Sequence, residues 1–445
     1  MISSVCVPSV PIIDQELAVL ALRRAALALV TIAAAIPLGA APAAFAASPP
    51  ALPSRAAALP TAAIALGDSF ISGEGAGSYQ PVVDANGVSQ GFPGWSAPNS
   101  NAFFCHRSAS ASLNQAALSG IQNRFNLACS GGRPFDMSNP SSARANGRVV
   151  ASQLDQVRAV AQTNDIDLVL IGLGSNNSSF SFGDVASKCA NRFIADAWTG
   201  WWEFWAYING PVEQEPCTID DLATPAQVDS ATAETIAALR QVLTVLDQVD
   251  ADHQHRIVLQ DYTNPLPLDV LPSLVSEDGR EDDRDKFRDL GAERYAAGCP
   301  IHRASLAPGH QFSTSLGTIV RTAHATLSAE FPGADLVYLN VQQAFNGARL
   351  CESSTDPAAA LATPVRVQDG PSGVPLTSLA GKDKIAIKKY ADTCITYFQT
   401  CQESWHPNAA GYGVLGQCLA GAATTATRTV SCVRRPDGSI AVTAP

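Results

Sequence analysis

The chain has 445 residues, 46% of them hydrophobic, 16% charged and 7% aromatic, which is enough apolar material for a large core and too much for a disordered chain. Its 32 Gly and 29 Pro follow no period, so a collagen-like structure is excluded. The formal net charge is −11, from 29 basic and 40 acidic residues without a Lys/Arg block, and this argues against a nucleic-acid partner, whose phosphates need clustered positive charge.

Residues 1–46 read as a secretory signal. Arg23 and Arg24 precede an apolar run from Ala25 to about Leu38, followed by Pro42 and the small-residue site Ala44-Phe45-Ala46. Cleavage is expected after Ala46 or Ala47; the competing reading is an uncleaved anchor, since the stretch spans a bilayer if its prolines are ignored. Residues 47–445 then form the exported chain, with no later segment of membrane-spanning length, so no stable membrane insertion is expected after cleavage.

Five short apolar runs follow. They are Ala62 to Leu66, Phe125 to Cys129, Asp167 to Leu173, Arg256 to Gln260 and Asp335 to Asn340. Near-continuous runs of this kind mark strands buried on both faces of a parallel sheet. Helical patterns separate them: Asn101 to Leu118, Val149 to Ala161, Asp229 to Val249, Phe312 to Phe331 and a closing Ala409 to Thr427. The alternation predicts an α/β fold with helices on both faces of a central sheet. Residues 178–224 and 345–402 break the alternation and read as insertions in one domain spanning 47–445, because no linker composition isolates them.

Of 11 cysteines, Cys6 lies in the signal and ten remain, an even number that suits a disulfide framework in an exported protein. Zinc-type Cys/His spacing is absent. Pairing in chain order is the simplest scheme: Cys105–Cys129, Cys189–Cys217, Cys299–Cys351, Cys394–Cys401 and Cys418–Cys432. Sequence alone leaves the connectivity open.

Ligand crevices of open α/β sheets lie beyond the carboxyl ends of the strands. Three predicted strand ends carry Ser69, Gly131 and Asn176, and Glu403-Ser404-Trp405-His406-Pro407-Asn408 precedes the last helix. A serine, a base that can take its proton, a carboxylate to orient that base and fixed donors for an oxyanion are the parts acyl transfer needs. Taken singly, Ser69 reads as a helix cap, Asn176 as a turn residue and His406 as an ordinary histidine; Asp68 reads as a turn-stabilising acid.

In their order and residues the blocks resemble the SGNH/GDSL hydrolases, in particular their secreted actinobacterial esterase and lipase branch. Gly67-Asp68-Ser69-Phe70-Ile71-Ser72-Gly73-Glu74-Gly75 matches the first block, Ala128-Cys129-Ser130-Gly131 the second, Gly174-Ser175-Asn176 the third and Trp405-His406-Pro407-Asn408 the fifth. The resemblance implies a flavodoxin-like three-layer α/β/α fold and a serine esterase or lipase without a cofactor. It makes Ser69 the nucleophile and His406 the general base, with the oxyanion held by the Ser69 and Gly131 N–H groups and the Asn176 amide. Two departures stand out. Glu403 occupies the position where the family usually has Asp, so either Glu403 or a backbone carbonyl orients His406. Asn177 stands where Asp is usual, a position that tends to be structural.

The expected partner is a small-molecule or lipid ester, met by a secreted monomer. Two rival readings remain: a carbohydrate deacetylase acting on polysaccharide, and a non-catalytic binding protein on a decayed hydrolase scaffold. Trp198, Trp201, Trp202 and Trp205 fall on one helical face and read either as packing for the insertion or as an apolar wall of the substrate site. His253 and His255 read as part of a solvated turn rather than as metal ligands. The acid-rich stretch Glu277 to Lys286 lacks calcium-loop spacing and reads as solvated surface.

Overall fold

The computed structural model describes residues 59–80, 105–140, 150–197, 216–249, 255–268, 301–350, 352 and 405–444. Their centre is a seven-stranded sheet in the order β4-β1-β5-β6-β7-β8-β9. The strands are β1 (Thr61–Gly67), β4 (Asn123–Asn126), β5 (Asp165–Gly172), β6 (Arg256–Gln260), β7 (Asp335–Gln343), β8 (Thr429–Arg434) and β9 (Ile440–Thr443). Every neighbouring pair is parallel except β8–β9, an antiparallel hairpin at the edge. A small antiparallel pair, β2 (Tyr79–Gln80) with β3 (Arg107–Ser108), stands apart.

Continuous apolar runs in the strands feed two cores at once, because successive side chains alternate across a sheet. Ile64, Leu66, Val169, Ile171, Ile257, Leu259 and Leu336 face one core. Ala63, Ala65, Leu168, Leu170, Val258, Val337 and Leu339 face the other. The first core is covered by α3 (Gln153–Ala161), α4 (Phe182–Ala197), α5 (Ile219–Leu222), α6 (Pro225–Val249) and α7 (Leu306–Glu330). The second is covered by α2 (Ser112–Gln115) and α8 (Ala409–Thr424), through Leu113, Tyr412, Leu415 and Leu419. The result is the three-layer α/β/α arrangement with a largely parallel sheet.

Among the described residues, disulfides join Cys105 to Cys129, Cys189 to Cys217 and Cys418 to Cys432, three of the chain-order pairs. Cys299, Cys351, Cys394 and Cys401 lie outside the described residues, as do the signal-like segment and the Glu277 to Lys286 stretch.

Several boundaries differ from the sequence expectation. The second strand ends at Asn126 rather than Cys129, although Leu127 and Cys129 still donate to Ala65 and Gly67 of β1. Beyond it the Arg107 guanidinium takes the carbonyls of Leu127 and Ala128, so side-chain bonds replace the ladder. Of the expected helix from Asn101 to Leu118, the described part from Cys105 onward is helical over Ser112–Gln115, because Cys105 is bridged to Cys129 and Arg107–Ser108 pairs as a strand. Two further strands follow the last helix. In β8, which pairs with β7 and with the edge strand β9, only Val430 and Cys432 are buried, and Cys432 is bridged to α8. His255, expected in a solvated turn, is buried at the entrance to β6.

Candidate active site

Strand β1 sits where the connections change direction, with β4 on one side and β5 on the other, and such a switch point opens a crevice at the strands' carboxyl ends. Gly67 closes β1 with φ +134°, and a Cβ there would lie 1.9 Å from the Gly172 carbonyl oxygen. Only glycine lets the ends of β1 and β5 approach so closely. Asp68 follows in extended conformation. Its N–H donates to the Gly172 carbonyl at 3.1 Å, and its Oδ1 accepts from the Phe70 N–H at 3.0 Å. This caps α1 (Ser69–Ser72) and places Ser69 as its first residue.

The histidine arrives from the other end of the chain. Trp405 adopts the left-handed region at φ +67°, and Asn408 caps α8 by accepting from the Gly411 N–H at 3.0 Å. Between these constraints His406 brings Nε2 within 2.8 Å of Ser69 Oγ. Its ring packs 4.7 Å from Phe70 and 5.6 Å from Phe182, centroid to centroid. Tyr412, on the first turn of α8, donates its hydroxyl to the Ser69 carbonyl at 3.2 Å, so the helix that follows the histidine also holds the serine turn.

The other two strand ends converge on the same turn. The Cys129 N–H donates to the Gly67 carbonyl at 3.1 Å, and Gly131 then turns with φ +71°. The Gln153 side chain brackets Gly67, accepting from its N–H and donating to its carbonyl at 2.8 Å each. Beyond β5, Ser175 Oγ donates to Asp68 Oδ2 at 2.6 Å, and Tyr262, just past β6, donates to the same oxygen at 2.6 Å. Asn176 therefore follows a residue anchored to the nucleophile turn; one of its amide protons reaches Ser175 Oγ at 3.2 Å. Among the described residues no protein acceptor takes the N–H of Ser69 or of Gly131. Asn177 accepts from the N–H groups of Ser179 and Phe180 and shapes the turn.

Burial pushes the Asp68 carboxyl up to about 6, against the hydrogen bonds from Ser175, Tyr262 and the Phe70 N–H that favour its anion. Burial, with the Asp68 charge added, also lifts the Tyr262 hydroxyl well above its ordinary range, so Tyr262 stays a neutral donor. Both groups are spent on the turn, in line with the structural reading of Asp68.

Glu403 and Trp198, Trp201, Trp202 and Trp205 lie outside the described residues. Gln153, Tyr262 and Tyr412 carry no signature in the sequence, because a lone Gln or Tyr does not announce a distant contact. Glu74 did carry one: a carboxylate between two glycines directly after the serine turn.

Phe182, Val185, Leu222, Leu266, Phe312 and Trp405 wall a narrow apolar slot of about 20 Å³, which none of Ser69, Gly131, Asn176 and His406 lines.

No family model and no curated protein matches the chain. Among solved structures it is similar to a phospholipase A1 from Streptomyces albidoflavus NA297, at 18% identity and TM-score 0.42, covering 82% of this chain and 100% of that one. It is similar also to an extracellular lipase from Streptomyces rimosus, at 20% identity and TM-score 0.34, covering 81% and 99%. An acetyl xylan esterase from the rumen bacterium Butyrivibrio proteoclasticus follows at 11% identity and TM-score 0.27, covering 68% and 60%. All three TM-scores lie below 0.5, so the weight rests on the residues themselves. In its ordered sequence blocks, and in the turns that bring Ser69, Gly131 and Asn176 to one sheet end with His406 against the serine, the chain resembles the SGNH/GDSL hydrolases.

Proposed function

We propose that this protein is a secreted serine ester hydrolase of the SGNH/GDSL kind. The observation that carries the reading is the 2.8 Å contact between Ser69 Oγ and His406 Nε2, made inside a buried site at the carboxyl end of a parallel sheet. A serine hydroxyl is a weak nucleophile until a neighbouring base removes its proton. His406 takes that proton as Ser69 Oγ attacks the ester carbonyl, then returns it to the leaving alcohol. Water, activated by the same imidazole, releases the acyl group. The Ser69 and Gly131 N–H groups and the Asn176 amide stabilise the tetrahedral oxyanion, as preorganised donors do most effectively in a buried site. The imidazole is oriented either by Glu403 or by a backbone carbonyl, and Glu403→Ala decides between them: little loss of turnover assigns the carbonyl.

Three disulfides support an oxidising, extracellular setting.

A fluorescent organophosphonate applied to the purified chain tests the reading directly. Labelling of wild type but not of Ser69→Ala is the expected result. A chain left unlabelled loses the hydrolase assignment and falls to the binding-protein reading.

A further inference from the structure

The Glu74 side chain is fully buried at the back of the Ser69 turn, where a carboxylate needs compensating partners. Both of its oxygens lie 2.7 Å from His106 Nδ1, and Ser130 donates its hydroxyl to Oε2 at 2.5 Å. Burial pushes this carboxyl up, but the hydrogen bond and charge of His106, the charge of His406 and the Ser130 hydrogen bond outweigh it, so Glu74 is held below the ordinary range. It is therefore an anion with charge-assisted hydrogen bonds, stronger than neutral ones.

Its partners are themselves fixed. His106 adopts the left-handed region at φ +45°, where non-glycine residues are uncommon, and its ring stacks on Tyr79 at 4.4 Å. The Tyr79 hydroxyl accepts from the Gly75 N–H at 2.9 Å, which closes the network back onto the residue after Glu74. On the other side, the Glu74 N–H donates to the Ser69 carbonyl at 3.2 Å, and the Tyr412 hydroxyl bridges the carbonyls of Ser69 and Glu74.

Ser130 immediately precedes Gly131. The Gly131 N–H belongs to the planar peptide that joins the two residues, so its direction is set by how Ser130 is held. Among the described residues Ser130 is held at its N–H, which donates to the Cys105 carbonyl at 3.0 Å, and at its hydroxyl, which donates to Glu74. One carboxylate thus links the serine turn to the turn that offers the Gly131 N–H.

We propose that Glu74, with His106 behind it, is a positioning residue that sets the direction of the Gly131 N–H relative to Ser69 by anchoring the Ser130 hydroxyl. This rests on the hydrolase reading above. Donors displaced by a fraction of an ångström lose much of their effect on the transition state while leaving ground-state binding nearly intact.

The test is a double-mutant cycle on a p-nitrophenyl ester with Ser130→Ala, Glu74→Gln and the two combined, each checked for folding by circular dichroism and melting. Each single change is expected to lower kcat by about 10- to 100-fold with KM within about threefold. The combined variant is expected to be no worse than the poorer single one, since both remove the same link. Unchanged kcat in folded Ser130→Ala, or losses that multiply in the combined variant, overturns the proposal. Should Glu74→Gln fail to fold, Ser130→Ala still decides through kcat expressed per phosphonate-titrated active site, which a partly unfolded sample does not lower. Phosphonate labelling of wild type runs alongside. Label on Ser69 with normal turnover in Ser130→Ala defeats the positioning proposal alone, whereas no label on Ser69 defeats both readings.

Discussion

Ser69 Oγ and His406 Nε2 lie 2.8 Å apart across 337 positions of sequence, and both residues are buried. The contact is held from both sides. Asp68 caps the serine turn, and Tyr412 reaches back from α8 to the Ser69 carbonyl. If the pair works as a unit, Ser69→Ala and His406→Ala should each reduce turnover by on the order of 10⁶-fold, and the double change should cost little more. Steady-state rates on a short-chain p-nitrophenyl ester, measured with Asn176→Ala as an independent control, give the answer; a Ser69→Ala enzyme within tenfold of wild type would refute the nucleophile.

Asn176 follows Ser175, whose hydroxyl is anchored to Asp68 at 2.6 Å, so its amide is carried on a rigid turn. Asn176→Ala should lower kcat by about 10²- to 10³-fold while KM changes little, the signature of a donor used in the transition state. A rise in KM at unchanged kcat would instead mark a group that binds substrate.

Asp261, just past β6, accepts from the Val341 N–H at 2.6 Å and the Tyr338 hydroxyl at 2.8 Å. Burial nevertheless pushes its carboxyl from 3.8 up to about 7. A raised carboxyl means that the folded state holds the proton more tightly than the unfolded chain does. The associated stability is complete below about pH 4 and is lost as pH rises through about 7, in total roughly 4 kcal/mol. Asp261→Asn cannot ionise, so its melting temperature relative to wild type should rise between about pH 4 and pH 7 and level off above. A difference that stays flat over that range, or runs the other way, would contradict the shift.

With φ +134° and the Gly172 carbonyl 1.9 Å from a built Cβ, Gly67→Ala forces apart the strand ends that carry Ser69 and Asn176. It should cost more than about 2 kcal/mol in urea unfolding and abolish phosphonate labelling in whatever folds. Gly120 has a positive φ of 83° but open space around it, so Gly120→Ala should cost clearly less.

Taken by itself, the sequence determined the layered architecture and the places where the chemistry gathers. Runs such as Leu168-Val169-Leu170-Ile171 report burial on both faces of a strand. The Gly67-Asp68-Ser69 and His406-Pro407-Asn408 blocks mark turns whose residue types few other roles require. Such features are local, and local patterns are set by backbone geometry and by which faces meet water. Tertiary structure decided the rest. It supplied the β8–β9 edge, whose weak alternation reads equally as loop, and it converted the expected helix before Ser112 into a bridged, strand-paired segment. It also drew Glu74, His106, Ser130, Tyr262 and Tyr412 into two buried networks around one serine turn. Each of those polar groups needed a partner once the core closed over it, and the partner was chosen by proximity in space, which no spacing along the chain encodes.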